Sequence, residues 1–138
     1  MIKKSIFILM LIFVFSSILT SKEKNKNFIK LIYFHPEHRC QSCLEVEKKI
    51  NNVLLKSFKD EIKKNKLNLE KINFDDEQNL HFMKDFDIDS QTLIIIRYID
   101  GKQKDWKKLE GIWDFMNNNQ KFNDYLINEI KDFTNLSN

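Results

Sequence analysis

Apolar residues along this chain fall into short runs and helical stripes, separated by charged and asparagine-rich stretches. "FIKLIYF", Phe28 to Phe34, is rich in β-branched and aromatic residues and predicts a buried strand. From Gln41 to Phe58 the apolar positions are Val46, Ile50, Val53, Leu54 and Phe58, with Glu45, Glu47, Lys48, Lys49 and Asn52 between them. That spacing predicts a helix with one inward face. "LNLEKINF", Leu67 to Phe74, alternates on Leu67 and Leu69 and then on Ile72 and Phe74, as a second strand would. Asp75 to Asp87 reads as a short helix capped by Asp75 or Asp76, with Leu80, Met83 and Phe86 inward. "TLIIIRYI", Thr92 to Ile99, is the clearest strand, and Asp100-Gly101 is a hairpin turn signal leading to a partner strand over Lys104 to Leu109. Asn117 to Asn119 reads as a loop, and Phe122, Leu126, Ile130 and Phe133 give a closing amphipathic helix.

A β-α-β unit followed by a β-β-α unit implies an α/β layer fold with a four-stranded mixed sheet flanked by helices. The length, 138 residues, suits one such domain. Formal charge is +3, and two of those charges, Lys3 and Lys4, belong to the N-terminal segment. The remaining acids and bases are interspersed, unlike the clustered basic face that neutralises phosphates, so no nucleic-acid partner is expected.

The N-terminal segment changes the picture of location. Lys3 and Lys4 precede an apolar run from Ile6 to Phe15, which extends to Leu19 across Ser16 and Ser17. This has the n-region, h-region and polar tail of a secretory signal. The extended run is 14 residues, short of the roughly 20 that span a bilayer as a helix. The expected organisation is a signal peptide or uncleaved N-terminal anchor at 1–21, a linker at 22–27 and one domain at 28–138. Thr20 and Ser21 are the best cleavage candidates, and no clean small-x-small site is present. The domain is therefore expected outside the cytoplasm, periplasmic or extracytoplasmic, or held to the inner membrane, where disulfides are permitted.

The chemistry concentrates in "HPEHRCQSC", residues 35 to 43, which contains both cysteines of the chain. Cys40 falls between the first strand and its helix. Backbone N–H groups at a helix start stabilise a thiolate, and the adjacent Arg39 adds positive charge. Cys43 lies one helical turn further, within reach of a disulfide with Cys40. Cys40 would then be the exposed attacking thiol and Cys43 the inward resolving one, releasing a mixed disulfide. No Gly-rich phosphate loop, Ser-His-Asp set or paired-carboxylate motif is present.

"FIKLIYFHPEHRCQSCLEVEKKI" resembles the active-site strand, C-x-x-C and helix of the thioredoxin-like superfamily. "LNLEKINFDDEQNLHFMKDFDIDSQTLIIIRYIDGK" resembles its next strand, helix and hairpin. The similarity covers about residues 28 to 134, and the "YFH-x4-C-x-x-C" form is similar to a group of exported bacterial members. The resemblance implies a thiol–disulfide oxidoreductase with Cys40 as nucleophile and Cys43 as resolving thiol. It implies no cofactor, a protein or small-molecule disulfide or thiol as substrate, and in some members a membrane redox partner.

This sequence also departs from the family pattern. The proline facing the cysteine pair is replaced by Gln91, while Thr92 after it is retained. Arg39 stands where thioredoxins have Trp, and Gln41-Ser42 where they have Gly-Pro. The buried acid expected six residues before the first cysteine is Phe34. Gln91, Thr92, Arg39 and His38 are thus the candidates for shaping the groove and tuning the thiols. Loss of the proline also leaves metals less well excluded, so Cys40 and Cys43 with His35 and His38 form an alternative copper or zinc set. A non-catalytic interaction domain of the same fold, and a plain structural disulfide, stay open at this point. His81 is expected on a surface, and Trp106 and Trp113 could cover a sheet edge or offer an interaction face.

Overall fold

The computed structural model describes residues 26–135; the proposed signal or anchor, and most of the linker, lie outside them. The described elements are β1 (Phe28–His35), α1 (Gln41–Ser57), α2 (Lys59–Lys63), β2 (Leu67–Asn73), a 3₁₀ turn (Glu77–Asn79), α3 (His81–Asp85), β3 (Thr92–Ile99), β4 (Lys102–Lys108), α4 (Gly111–Asp114) and α5 (Asn119–Asn135). The strands form one sheet in the order β2-β1-β3-β4. β1 and β2 run parallel, as a helical crossover requires, while β3 is antiparallel to β1 and β4 to β3.

Strand β1 is buried on both faces, which explains its near-continuous apolar run. Its Ile29, Leu31 and Tyr33 join Leu93 and Ile95 of β3 under Val46, Ile50, Val53 and Leu54 of α1 and Phe122, Leu126 and Ile130 of α5. Its Ile32 and Phe34 face the other way, with Ile94, Ile96, Ile72, Phe86 and Ile88. The broken alternation in β2 has a matching cause. Leu67 and Leu69 belong to the first core, and Ile72 and Phe74 to the second, one pleat over.

Five expectations about elements are corrected. The Asp75–Asp87 helix is a 3₁₀ turn followed by five helical residues. Its expected caps are engaged elsewhere: Asp75 accepts from the Glu37 N–H at 2.8 Å and Asp76 from the Asn73 amide at 3.2 Å. Leu80, now ahead of the helix, is 51% exposed; Phe82 packs on Phe34 instead. Strand β4 starts at Lys102 because Asp100 and Gly101 both adopt positive φ, 53° and 75°, which closes a two-residue turn directly onto the Ile99–Lys102 pair. The last helix starts at Asn119, with the Asn118 side chain accepting from the Lys121 N–H at 3.0 Å.

The antiparallel pairing of β1 with β3 positions the site. Phe34 pairs with Thr92, so the loop leaving β1 and the residues entering β3 meet at one end of the sheet. The chain enters at the opposite end. There the Lys26 carbonyl accepts from the Gly101 N–H, and the Asn27 side chain from the Asp100 N–H, both at 2.8 Å.

Candidate redox site

Pro36 stops β1 because it has no N–H to give the ladder. The loop that follows is tied to the end of β2: Glu37 donates its N–H to Asp75, and its carboxylate accepts from the Asn73 amide. Cys40 then takes an extended conformation, φ −74° and ψ 162°, and caps α1. Its Sγ accepts from the Cys43 N–H at 3.2 Å. A sulfur in that place faces the unsatisfied N–H groups of a 17-residue helix, the environment that favours a thiolate.

Cys40 and Cys43 are disulfide-bonded, with Cα atoms 5.1 Å apart. Cys40 is exposed and Cys43 is 1% exposed. The reason is helical geometry: Cys43 shares the inward stripe with Val46 and Ile50, three and seven residues on. Below it the buried Tyr33 hydroxyl donates to the Cys43 carbonyl at 3.1 Å. Burial, then the carboxylate of Glu47, push the Tyr33 phenol up to about 12, against the opposing charge of Arg39.

Gln91 faces the pair from across the site. Its side-chain amide lies 3.5 Å from Cys43 Sγ, and its peptide bonds, like all others described, are trans. The Gln91 carbonyl accepts from the Trp113 indole at 3.0 Å. Trp113 thus braces the segment facing the cysteines, a role the sequence alone left open. Trp106 packs edge-on against Phe86 on the far core. Thr92 turns its hydroxyl back to the Ser90 carbonyl at 3.0 Å. A cavity of about 150 Å³ opens beside this segment, lined by Ser90, Gln91, Thr92, Lys108, Glu110 and Trp113 among others.

The remaining candidates divide. His38 and His81 are exposed. His35 is 9% exposed, and its Nδ1 lies 3.2 Å from Arg39 Nε and 3.0 Å from the Pro36 carbonyl. A guanidinium is a permanent donor, so Nδ1 accepts, the ring proton sits on Nε2, and the Pro36 oxygen is a neighbour rather than a partner. Arg39 also pairs with Glu47, whose second oxygen accepts from Lys71 at 2.9 Å. None of the Arg39 hydrogen bonds reaches Cys40. Among the described residues, no group of three or more His, Cys, Asp or Glu is arranged to hold a metal ion.

Glu47 is the residue sequence reasoning passed over. Its place among Glu45, Lys48 and Lys49 reads as solvated surface, yet its side chain is only 14% exposed. The available signal was its spacing, four residues after Cys43, which puts it one turn along the same face.

No family model and no curated protein match this chain. Among solved structures, a malarial protein shares 20% identity at TM-score 0.41, covering 59% of this chain and 80% of that one. Thioredoxin-2, described as a component of malaria parasite protein secretion machinery, shares 20% at 0.41, covering 59% and 69%. Fasciola hepatica thioredoxin shares 21% at 0.40, covering 60% and 69%. The class rests on the strand order and on the placement of the pair. A β2-β1-β3-β4 mixed sheet, with C-x-x-C at the start of the helix after β1, is a thioredoxin-like fold. A pair at disulfide distance in that position supports a redox-type function.

Proposed function

We propose that the protein is an exported thiol–disulfide oxidoreductase. The observation that carries this reading is the asymmetry of the pair: Cys40 exposed at the cap of α1, Cys43 buried behind it and bonded to it. In the reduced form the Cys40 thiolate attacks a substrate disulfide and the first substrate thiolate leaves. Cys43 gives up its proton, attacks Cys40 Sγ, and releases the second thiolate. The substrate is a protein or small-molecule disulfide held along the Gln91–Thr92 segment, where the cavity beside Trp113 offers room. A membrane redox partner returns the electrons, in keeping with the signal or anchor read from residues 1–21, and the domain itself begins near residue 28. Recovery of the chain outside the cytoplasm of an expressing cell tests the export.

The chemistry is tested by titrating the metal-free domain against glutathione and reading the thiol state by mass. Reversible exchange is expected between about −270 and −120 mV, the span of known thiol oxidoreductases. Cys40→Ser is expected to abolish exchange, while Cys43→Ser is expected to accumulate the mixed disulfide. Exchange by Cys40→Ser at the wild-type rate would refute the mechanism.

A further inference from the structure

We propose that Glu47 sets the direction of electron flow by holding the Arg39 charge away from Cys40, which makes the pair a reductant. This deepens the reading above and rests on it. Arg39 adjoins Cys40 in sequence, and a free guanidinium there would stabilise the Cys40 thiolate. Stabilising the thiolate stabilises the dithiol form, and a stable dithiol form makes an oxidant. In this structure the guanidinium has other partners. Its Nε donates to His35 Nδ1 at 3.2 Å, and a terminal nitrogen is paired with Glu47.

Glu47 is well placed for this. It stands on α1 one turn beyond Cys43, and helical side chains lean back toward the helix start. Its other oxygen is fixed by Lys71, the register neighbour of Tyr33 on β2. The carboxylate is thus clamped from two sides, with 14% of its side chain exposed, where solvent screens the pair less than on an open surface. Both charges also act on the Tyr33 phenol, Glu47 raising it and Arg39 lowering it, and that hydroxyl donates to the Cys43 carbonyl at 3.1 Å. The reaction favoured is dithiol plus substrate disulfide giving the Cys40–Cys43 disulfide and two substrate thiols. Two electrons pass to the substrate; the Cys43 proton goes to the first departing thiolate, and the second, released when Cys43 attacks Cys40 Sγ, takes its proton from solvent.

The test is a double-mutant cycle read at the thiols. Cys40 ionisation is followed by the pH dependence of its alkylation, and the dithiol–disulfide equilibrium is measured against glutathione. Glu47→Gln, nearly isosteric, is expected to lower the Cys40 pKa and shift the equilibrium toward the dithiol by about tenfold, one pKa unit's worth of charge stabilisation. Glu47→Asp, keeping the charge, is expected to restore most of the wild-type value. In an Arg39→Gln background the effect of Glu47→Gln is expected to shrink to less than about twofold, since nothing remains to be released. An unchanged equilibrium in Glu47→Gln overturns the proposal, and so does a shift of equal size with or without Arg39. If the wild-type pair fails to exchange with glutathione at all, it is the oxidoreductase reading that fails.

Discussion

Tyr33 shows how much one buried side chain ties together at this site. It sits on β1 with no exposed surface, under α1, and its hydroxyl is fixed to the carbonyl of the resolving cysteine. The phenol titrates near 10 in an unfolded chain and about 12 here, chiefly because burial penalises the phenolate. The sign follows from linkage. Above pH 10 the unfolded state releases the proton while the folded state keeps it, so stability falls as pH rises through 10. Between pH 9 and pH 11 the loss attributable to Tyr33 is expected to be about 1 kcal/mol. Tyr33→Phe removes that part of the alkaline fall and, at neutral pH, costs about 1 kcal/mol for the lost hydrogen bond. Urea midpoints of both proteins at the two pH values measure each effect; equal alkaline losses would show that Tyr33 titrates alike in the folded and unfolded states.

At the scale of elements, the end of the sheet away from the cysteines is fastened by Arg97. This residue of β3 is 8% exposed and forms a bidentate pair with Asp105 on β4, its register partner. It also donates to the Phe133 carbonyl at 3.4 Å in the last turn of α5 and lies 5.0 Å from the Phe133 ring. A cation at that helix end is favoured by the aligned peptide dipoles. The Arg97 hydrogen bond holds the Asp105 carboxyl below its ordinary 3.8. Its contribution is therefore complete above about pH 4 and lost as pH falls through the folded value. Asp105 is 44% exposed at its side chain, so solvent discounts the pair. Asp105→Asn is expected to cost about 1 kcal/mol at pH 7 and progressively less below pH 4, read from denaturant midpoints across that range. A constant difference from pH 7 to pH 2 would remove the charge pair as its cause. None of this triple junction is legible in the sequence. The strands that it joins are, because strand patterning is local: apolar alternation and the Asp-Gly turn announce β3 and β4 without knowledge of α5. The same distinction explains α3. Its apolar spacing is helical, but Asp75 is drawn off by Glu37, 38 residues away in sequence, and Asp76 by Asn73 at the end of β2. It explains Glu47 as well, since a carboxylate amid lysines looks solvated until β2 brings Lys71 beneath it. Cys40 and Cys43 were legible from their place between β1 and its helix, whereas Gln91 was legible only through the resemblance to the thioredoxin-like superfamily, whose pattern sets the residue before β3 opposite the pair.

For the whole molecule the question is whether the disulfide holds the fold or is only carried by it. The sheet is covered on one face by two long helices and on the other by the α3 cluster, and the two cores are built from contiguous buried side chains of every strand but β4. The bond between Cys40 and Cys43 closes a loop within the first turn of α1, three residues apart. By the chain-entropy argument, a loop that short restrains the unfolded chain by only about 2 kcal/mol. A domain of this size commonly has 5–15 kcal/mol in hand. The Cys40→Ser, Cys43→Ser double variant is thus expected to fold cooperatively, with stability lowered by no more than about 2 kcal/mol. Reduced wild-type protein should behave alike, because its first helical turn is already secured by the Cys40 cap and the Tyr33 bond. Circular dichroism through a urea titration, with and without reductant, measures this directly. A double variant that is unfolded at zero denaturant would make the pair a staple and remove the premise of reversible exchange. A folded one leaves the disulfide free to open and close in a scaffold that does not depend on it, which is what a turnover requires.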